Sequence, residues 1–179
     1  MTIESMIDAT IGKEGAYSDN PNDPGGATMW GITAWVARKN GYTGDMRLLP
    51  RDKAVAIYRQ EYAIAPGFAA VALIAPTIGA ELFDTGVNMG PKVASEFLQR
   101  SLNVLNNQGR DYPDIVADGI VGAGTLAALR AFLAKRGDEG VRRLLALLNA
   151  LQGERYVSLC EGRSANEVFM YGWLARVAA

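Results

Sequence analysis

The chain has 179 residues, 49% of them apolar and 21% charged, with a formal net charge of −1. That length allows one domain or two small ones around a sizeable core, and near-neutral charge gives no support for nucleic acid as the main partner. There is no histidine, and Cys160 is the only cysteine, which excludes Ser-His and Cys-His nucleophiles, histidine-ligated zinc, a Cys-rich metal site and a disulfide framework.

The first residues lack the basic-then-apolar pattern of a signal peptide. Apolar runs such as 68–76 are too short to span a bilayer. The expectation is a chain made in the cytoplasm, without membrane insertion. Thr2 can cap a first helix, in which Ile3, Met6, Ile7, Thr10 and Ile11 share one face at spacings of three and four. Gly12 weakens its last turn and Gly15 stops it. Glu14 thus falls at a helix C-terminus, where the macrodipole opposes negative charge and partial burial pushes a carboxyl's pKa up. That is the direction a general acid needs. A long loop rich in Asp, Asn, Pro and Gly follows, far more turn chemistry than a simple corner requires. Long ordered loops in compact domains are usually functional.

Thr33 caps a short helix that Gly41 ends. Pro50 suits the first position of the next helix, with Val55, Tyr58 and Tyr62 turned inward, and Pro66-Gly67 breaks it. Residues 68–75 form a short apolar helix that Pro76 ends; Thr77 then caps a segment carrying Ile78, Leu82, Phe83 and Val87. Gly90-Pro91 starts a helix with Val93, Phe97, Leu98, Leu102 and Leu105 on its apolar stripe. After a polar loop and an Asp118–Thr125 turn motif, one helix runs to about Arg136. Gly137-Asp138 turns into a long helix over 139–161, and a last helix holds Val168, Phe169, Trp173 and Leu174. Strand pairing is confined to a short stretch around 30–33. The fold class is all-α.

An isolated Glu at a helix end reads as a solvated residue. Glu14 is followed by Tyr17, Asp19, Asp23, Thr28 and Trp30. An acid, a second carboxylate, a hydroxyl and aromatic walls are what glycoside cleavage uses: one group protonates the leaving oxygen, another activates water or stabilises positive charge on the sugar ring. Asp84 and Asn88 share a helix face. They either crosslink loops, or Asn88 lies on the cleft wall and hydrogen-bonds an N-acetyl or hydroxyl group. Tyr58 and Tyr62 read as core rather than subsite walls. Asp118, Gly119, Gly122 and Thr125 read as architecture: an Asx-type turn, glycines of unusual φ and a cap. Trp173 reads as a core anchor and Cys160 as a small core residue. No metal or organic cofactor is implied.

Glu14-Gly15-x-Tyr17, then Asp23-Pro24-Gly25-Gly26-x-Thr28, then Gly31-Ile32-Thr33 resembles the signature of family 108 glycoside hydrolases. These are phage and prophage endolysin-type N-acetylmuramidases of the lysozyme-like superfamily. Phe83-Asp84-x-x-Val87-Asn88-x-Gly90-Pro91 is similar to the second family signature, with Leu98-Gln99 after it. Asp118-Gly119-x-Val121-Gly122-x-x-Thr125 and Gly172-Trp173-x-x-Arg176 resemble the start and end of the family's C-terminal peptidoglycan-binding domain. Ala16 departs from the family's Gly.

The resemblance implies a lysozyme-like helical domain over 1–92, with a helical peptidoglycan-binding subdomain over 93–179 packed against it. It implies Glu14 as general acid of a muramidase cutting the β-1,4 bond between N-acetylmuramic acid and N-acetylglucosamine. Asp23 and Thr28 match the order of downstream partners in phage lysozymes; Tyr17, Asp19, Trp30 and Asn88 are the candidate substrate-binding residues. The implied partners are peptidoglycan glycan strands and a holin or other membrane-breaching protein, with action on the periplasmic wall after release. Two alternatives stay open. One is a lytic transglycosylase, which also relies on one Glu but typically follows it with Ser, where Gly15 stands here. The other is a non-catalytic peptidoglycan-binding or secretion-accessory protein.

Overall fold

The computed structural model describes residues 2–13, 17–19 and 26–177. The described chain is all-α, with one small hairpin. In order it forms α1 (Ile3–Lys13), β1 (Thr28–Met29), β2 (Ile32–Thr33), α2 (Ala34–Lys39) and a 3-10 turn (Met46–Leu48). Next come α3 (Arg51–Tyr58), a π-helical continuation (Arg59–Ile64), α4 (Phe68–Ala72), α5 (Pro76–Met89) and α6 (Pro91–Leu105). Then follow α7 (Ala123–Gly162), a 3-10 turn (Ser164–Asn166) and α8 (Glu167–Val177).

The apolar spacing that marks α1 is the face it buries: Ile3, Ile7 and Ile11 all lie in the core. Thr33 caps α2 by accepting the Val36 N–H at 3.3 Å. Two expected boundaries move. Pro50 sits just before α3, as its cap, rather than inside it. Pro76 opens α5 instead of ending α4, so Thr77 lies within the helix and Ala75 is the boundary residue. A proline in a first helical turn removes an N–H that has no intrahelical partner anyway, and its fixed φ suits the helix. Gly137, at φ 55 and ψ −147, breaks α7 where the Gly137-Asp138 turn was expected.

The central α5 packs against α1, α4, α6 and α7. Its contact with α4 depends on Gly79: a Cβ there would come within 2.5 Å of the Ala72 Cβ and 2.7 Å of the Ala72 backbone nitrogen. The core is continuous across the α5–α6 turn, joining Ile7, Phe68, Ile78 and Phe83 to Phe97, Leu102, Leu129, Phe132 and Leu148. Tyr58 belongs to it, with Tyr62 packed on its edge at 5.6 Å between ring centroids. Cys160 is free and buried.

The Asp118 motif is architecture, as its turn chemistry implies. Asp118 accepts the Ile120 N–H at 2.9 Å, and Gly119 takes φ 78. Thr125 is not the cap of α7 but lies in its first turn, with Gly122 at the boundary. The buried Gln99 of α6 binds the whole motif. Its Nε2 donates to Asp118 Oδ1 (2.9 Å), the Ile120 carbonyl (3.0 Å) and Thr125 Oγ1 (3.2 Å), and its Oε1 accepts the Gly119 N–H (2.8 Å). Trp173 is not a core residue: α8 has no buried side chain, and the half-buried indole stacks on buried Tyr156 at 5.0 Å.

Candidate active site

Of the three candidate catalytic residues, Glu14 and Asp23 lie outside the described residues. Thr28 is on β1, in a hairpin whose β1 and β2 pair antiparallel, Thr28 opposite Thr33 and Met29 opposite Ile32. Ser18 adds one more rung on the other side of Thr28: the Ser18 N–H donates to the Thr28 carbonyl at 2.9 Å and the Thr28 N–H returns to Ser18 at 2.7 Å. The backbone of Thr28 is thus held from both sides. Among the described residues its hydroxyl has one contact, a long one of 3.4 Å to the Gly26 carbonyl. Gly26 has φ 74, a conformation that glycine adopts without strain.

The hairpin turn is Trp30-Gly31, with φ 56 and 74. Positive φ at both central residues is the type I′ geometry that matches strand twist. Gly31 adopts it freely; a bulky aromatic residue there is strained and must be held by its surroundings. Trp30 is held twice. Its indole N–H donates to the Leu49 carbonyl at 2.8 Å, and its own carbonyl accepts the buried Tyr58 hydroxyl at 3.2 Å. Trp30 therefore fastens the hairpin to the segment before α3 and to α3 itself, with its ring partly buried against the core.

Tyr17 is half-buried, and its hydroxyl donates to Asp19 Oδ2 at 3.2 Å. The Arg47 guanidinium lies over the Tyr17 ring at 5.5 Å, with Asp45 at 3.8 Å from Arg47. Sequence reasoning missed Arg47, which is far from Tyr17 in the chain and carries no local motif. Asn88 is exposed near the end of α5 and donates to the Asp84 carbonyl of its own helix at 2.8 Å. Among the described residues no hydrogen bond joins it to Thr28, Tyr17 or Trp30. Asp84 takes the crosslinking role: Oδ1 accepts from Arg176 at 2.7 Å and Oδ2 from Gln152 at 3.3 Å.

Glu81, also missed, is one turn before Asp84. Burial first, and then the Asp84 charge, push its carboxyl up to about 7 against an opposing hydrogen bond from the Thr85 hydroxyl. Such shifts are common at functional sites.

Residues 7–90 match the family described as Glycosyl hydrolase 108, and residues 93–178 match the Predicted Peptidoglycan domain. Residues 7–90 thus belong to the glycosyl hydrolase 108 family, and residues 93–178 to the predicted peptidoglycan domain. No curated protein matches the chain. Among solved structures, one titled "Structure of Brucella abortus SagA" is similar, with TM-score 0.70 and 26% identity over 98% of this chain and 89% of that one. The glycosyl hydrolase 108 segment contains every candidate site residue, from Glu14 to Asn88. The two matches together make it a glycoside hydrolase directed at peptidoglycan.

Proposed function

We propose that the protein is an N-acetylmuramidase that hydrolyses the β-1,4 bond between N-acetylmuramic acid and N-acetylglucosamine. The observation that carries this reading is the pinned hairpin. It sets Thr28 on a rigid support, within the segment that matches the glycosyl hydrolase 108 family. Glu14 follows directly on α1, whose last residue is Lys13. Glu14 is the general acid that protonates the leaving oxygen. Asp23 stabilises the developing positive charge or activates the attacking water, and the Thr28 hydroxyl orients that water. Tyr17, with Asp19 beside its hydroxyl, and the face of Trp30 bind the sugar; Asn88 contacts the glycan farther along.

In this reading 1–92 is the catalytic domain and 93–179 the peptidoglycan-binding domain, divided within the first turn of α6. No helix among the described residues is long and apolar enough to cross a membrane. The protein acts on the wall after release, through a holin or another breach of the membrane. Mass spectrometry of products from purified sacculi tests the chemistry. New reducing-end N-acetylmuramic acid is the expected product. Anhydro sugars would make the enzyme a lytic transglycosylase, and intact strands would make it a binding or accessory protein.

A further inference from the structure

One short segment, 45–49, holds the Thr28 hairpin at two points. At the first, the Leu49 carbonyl accepts the Trp30 indole N–H, which fastens the turn between β1 and β2. At the second, the Arg47 guanidinium lies over the Tyr17 ring at 5.5 Å. Tyr17 is the neighbour of Ser18, whose backbone bonds to Thr28 in both directions. Arg47 and Leu49 are two positions apart, within and at the end of the 3-10 turn Met46–Leu48. That turn is itself fixed. Met46 and Leu49 are buried. Asp45 Oδ1 accepts the Arg47 N–H at 2.9 Å, and the Asp45 carbonyl accepts the Leu48 N–H at 2.9 Å and the Tyr42 hydroxyl at 2.8 Å.

The Arg47 side chain is 69% exposed, so removing it uncovers little of the core. Among the described residues the one carboxylate within 4 Å of its guanidinium is Asp45, at 3.8 Å, beyond hydrogen-bond distance. The ring is the closer engagement: a guanidinium within about 6 Å of an aromatic centroid is drawn to the negative face. The far end of that ring is tied as well, because the Tyr17 hydroxyl donates to Asp19 at 3.2 Å. One line of contacts therefore runs from the buried turn through Arg47 and Tyr17 to the Ser18–Thr28 rung. We propose that Arg47 is a positioning residue: stacked on Tyr17, it holds the 17–19 segment against β1 and so sets Thr28 at the site. It acts through Tyr17 and touches no substrate. Its importance to turnover rests on the reading that Tyr17 and Thr28 serve the hydrolase site, whereas the clamp stands on the contacts alone.

The test joins amide hydrogen exchange by NMR to steady-state kinetics on soluble peptidoglycan fragments, for the full-length wild type, Arg47→Ala and Arg47→Lys. Loss of an exposed guanidinium–ring contact shifts an opening equilibrium by about 2–5-fold. In Arg47→Ala the Ser18 and Thr28 amides should therefore exchange about 2–5-fold faster, with the amides of α3 and the melting temperature unchanged. Turnover should fall by about tenfold, because a 1 Å misplacement costs roughly 10²-fold and this shift is smaller. Arg47→Lys keeps the cation without the flat face and should recover part of both effects. Since Arg47 acts through Tyr17, Arg47→Ala should lower kcat no further in a Tyr17→Ala background. Unchanged exchange at Ser18 and Thr28 would overturn the clamp. Faster exchange with wild-type kcat, or a full further loss of kcat in the Tyr17→Ala background, would overturn the positioning role. A wild type that cleaves no glycan would sink the muramidase reading instead, and the exchange rates would still decide the clamp.

Discussion

Gln99→Leu removes one buried amide at nearly constant volume. The side chain is 1% exposed and makes four hydrogen bonds. The bond to exposed Asp118 is replaced by water and contributes little to the balance. The others are neutral bonds inside the fold, at about 1 kcal/mol each. Of their partners, the Ile120 carbonyl keeps the Gly122 N–H at 2.9 Å, whereas the Gly119 N–H donates, among the described residues, to Gln99 Oε1 alone. The expected loss is about 2–3 kcal/mol, or a fall in Tm of roughly 6–10 °C for a chain of this size. Thermal melts followed by circular dichroism measure it. A second readout separates this amide from generic core damage. The Gln99 hydrogen bond is the first cause holding Asp118 below the usual carboxylate range, so in the variant Asp118 should titrate closer to that range by NMR. A Tm within 2 °C of wild type, by the same scale, would refute the view that one glutamine organises the α6–α7 connection.

Gly79→Ala should cost about 1–3 kcal/mol by forcing α5 off the Ala72 backbone, read as a lower urea midpoint. Glu81 makes stability pH-dependent. Its folded pKa, about 7, is above the ordinary 4.5, so the folded state keeps a proton that the unfolded state releases. Stability falls as pH rises from about 4.5 to 7 and is level above that, by up to about 3 kcal/mol. Denaturant titrations should show this slope in wild type and lose it in Glu81→Gln. In the proposed site, Asp23→Ala and Thr28→Ala should lower kcat on soluble glycan fragments. Gly26→Val, strained at φ 74, should raise KM as well. Their melting temperatures should fall far less than that of Phe97→Ala, a core truncation worth about 3–5 kcal/mol.

Much of the helical frame is legible in the chain because burial repeats at helical spacing: Ile3, Ile7 and Ile11 mark α1, and Leu98, Leu102 and Leu105 mark α6. Glycine signals are equally local, as at Gly26 and at the Gly137 break. Pro76 misleads, because the same proline pattern ends one helix and begins another. Trp30 hides its turn: only its neighbour Gly31 announces positive φ, and the bonds that hold the indole come from Leu49 and Tyr58. The Asp84–Arg176 pair and the shifted Glu81 depend on helices distant in sequence, where no periodicity reaches. Arg47 over Tyr17 is the same case.

The central claim is that Glu14 is the general acid. The direct measurement is the rate of reducing-end release from purified peptidoglycan by Glu14→Gln beside wild type, with melts on the same preparations. The account predicts an unchanged melt and a rate lower by at least about 10²-fold, the contribution of a positioned general acid. A folded Glu14→Gln enzyme with near-normal turnover would contradict it.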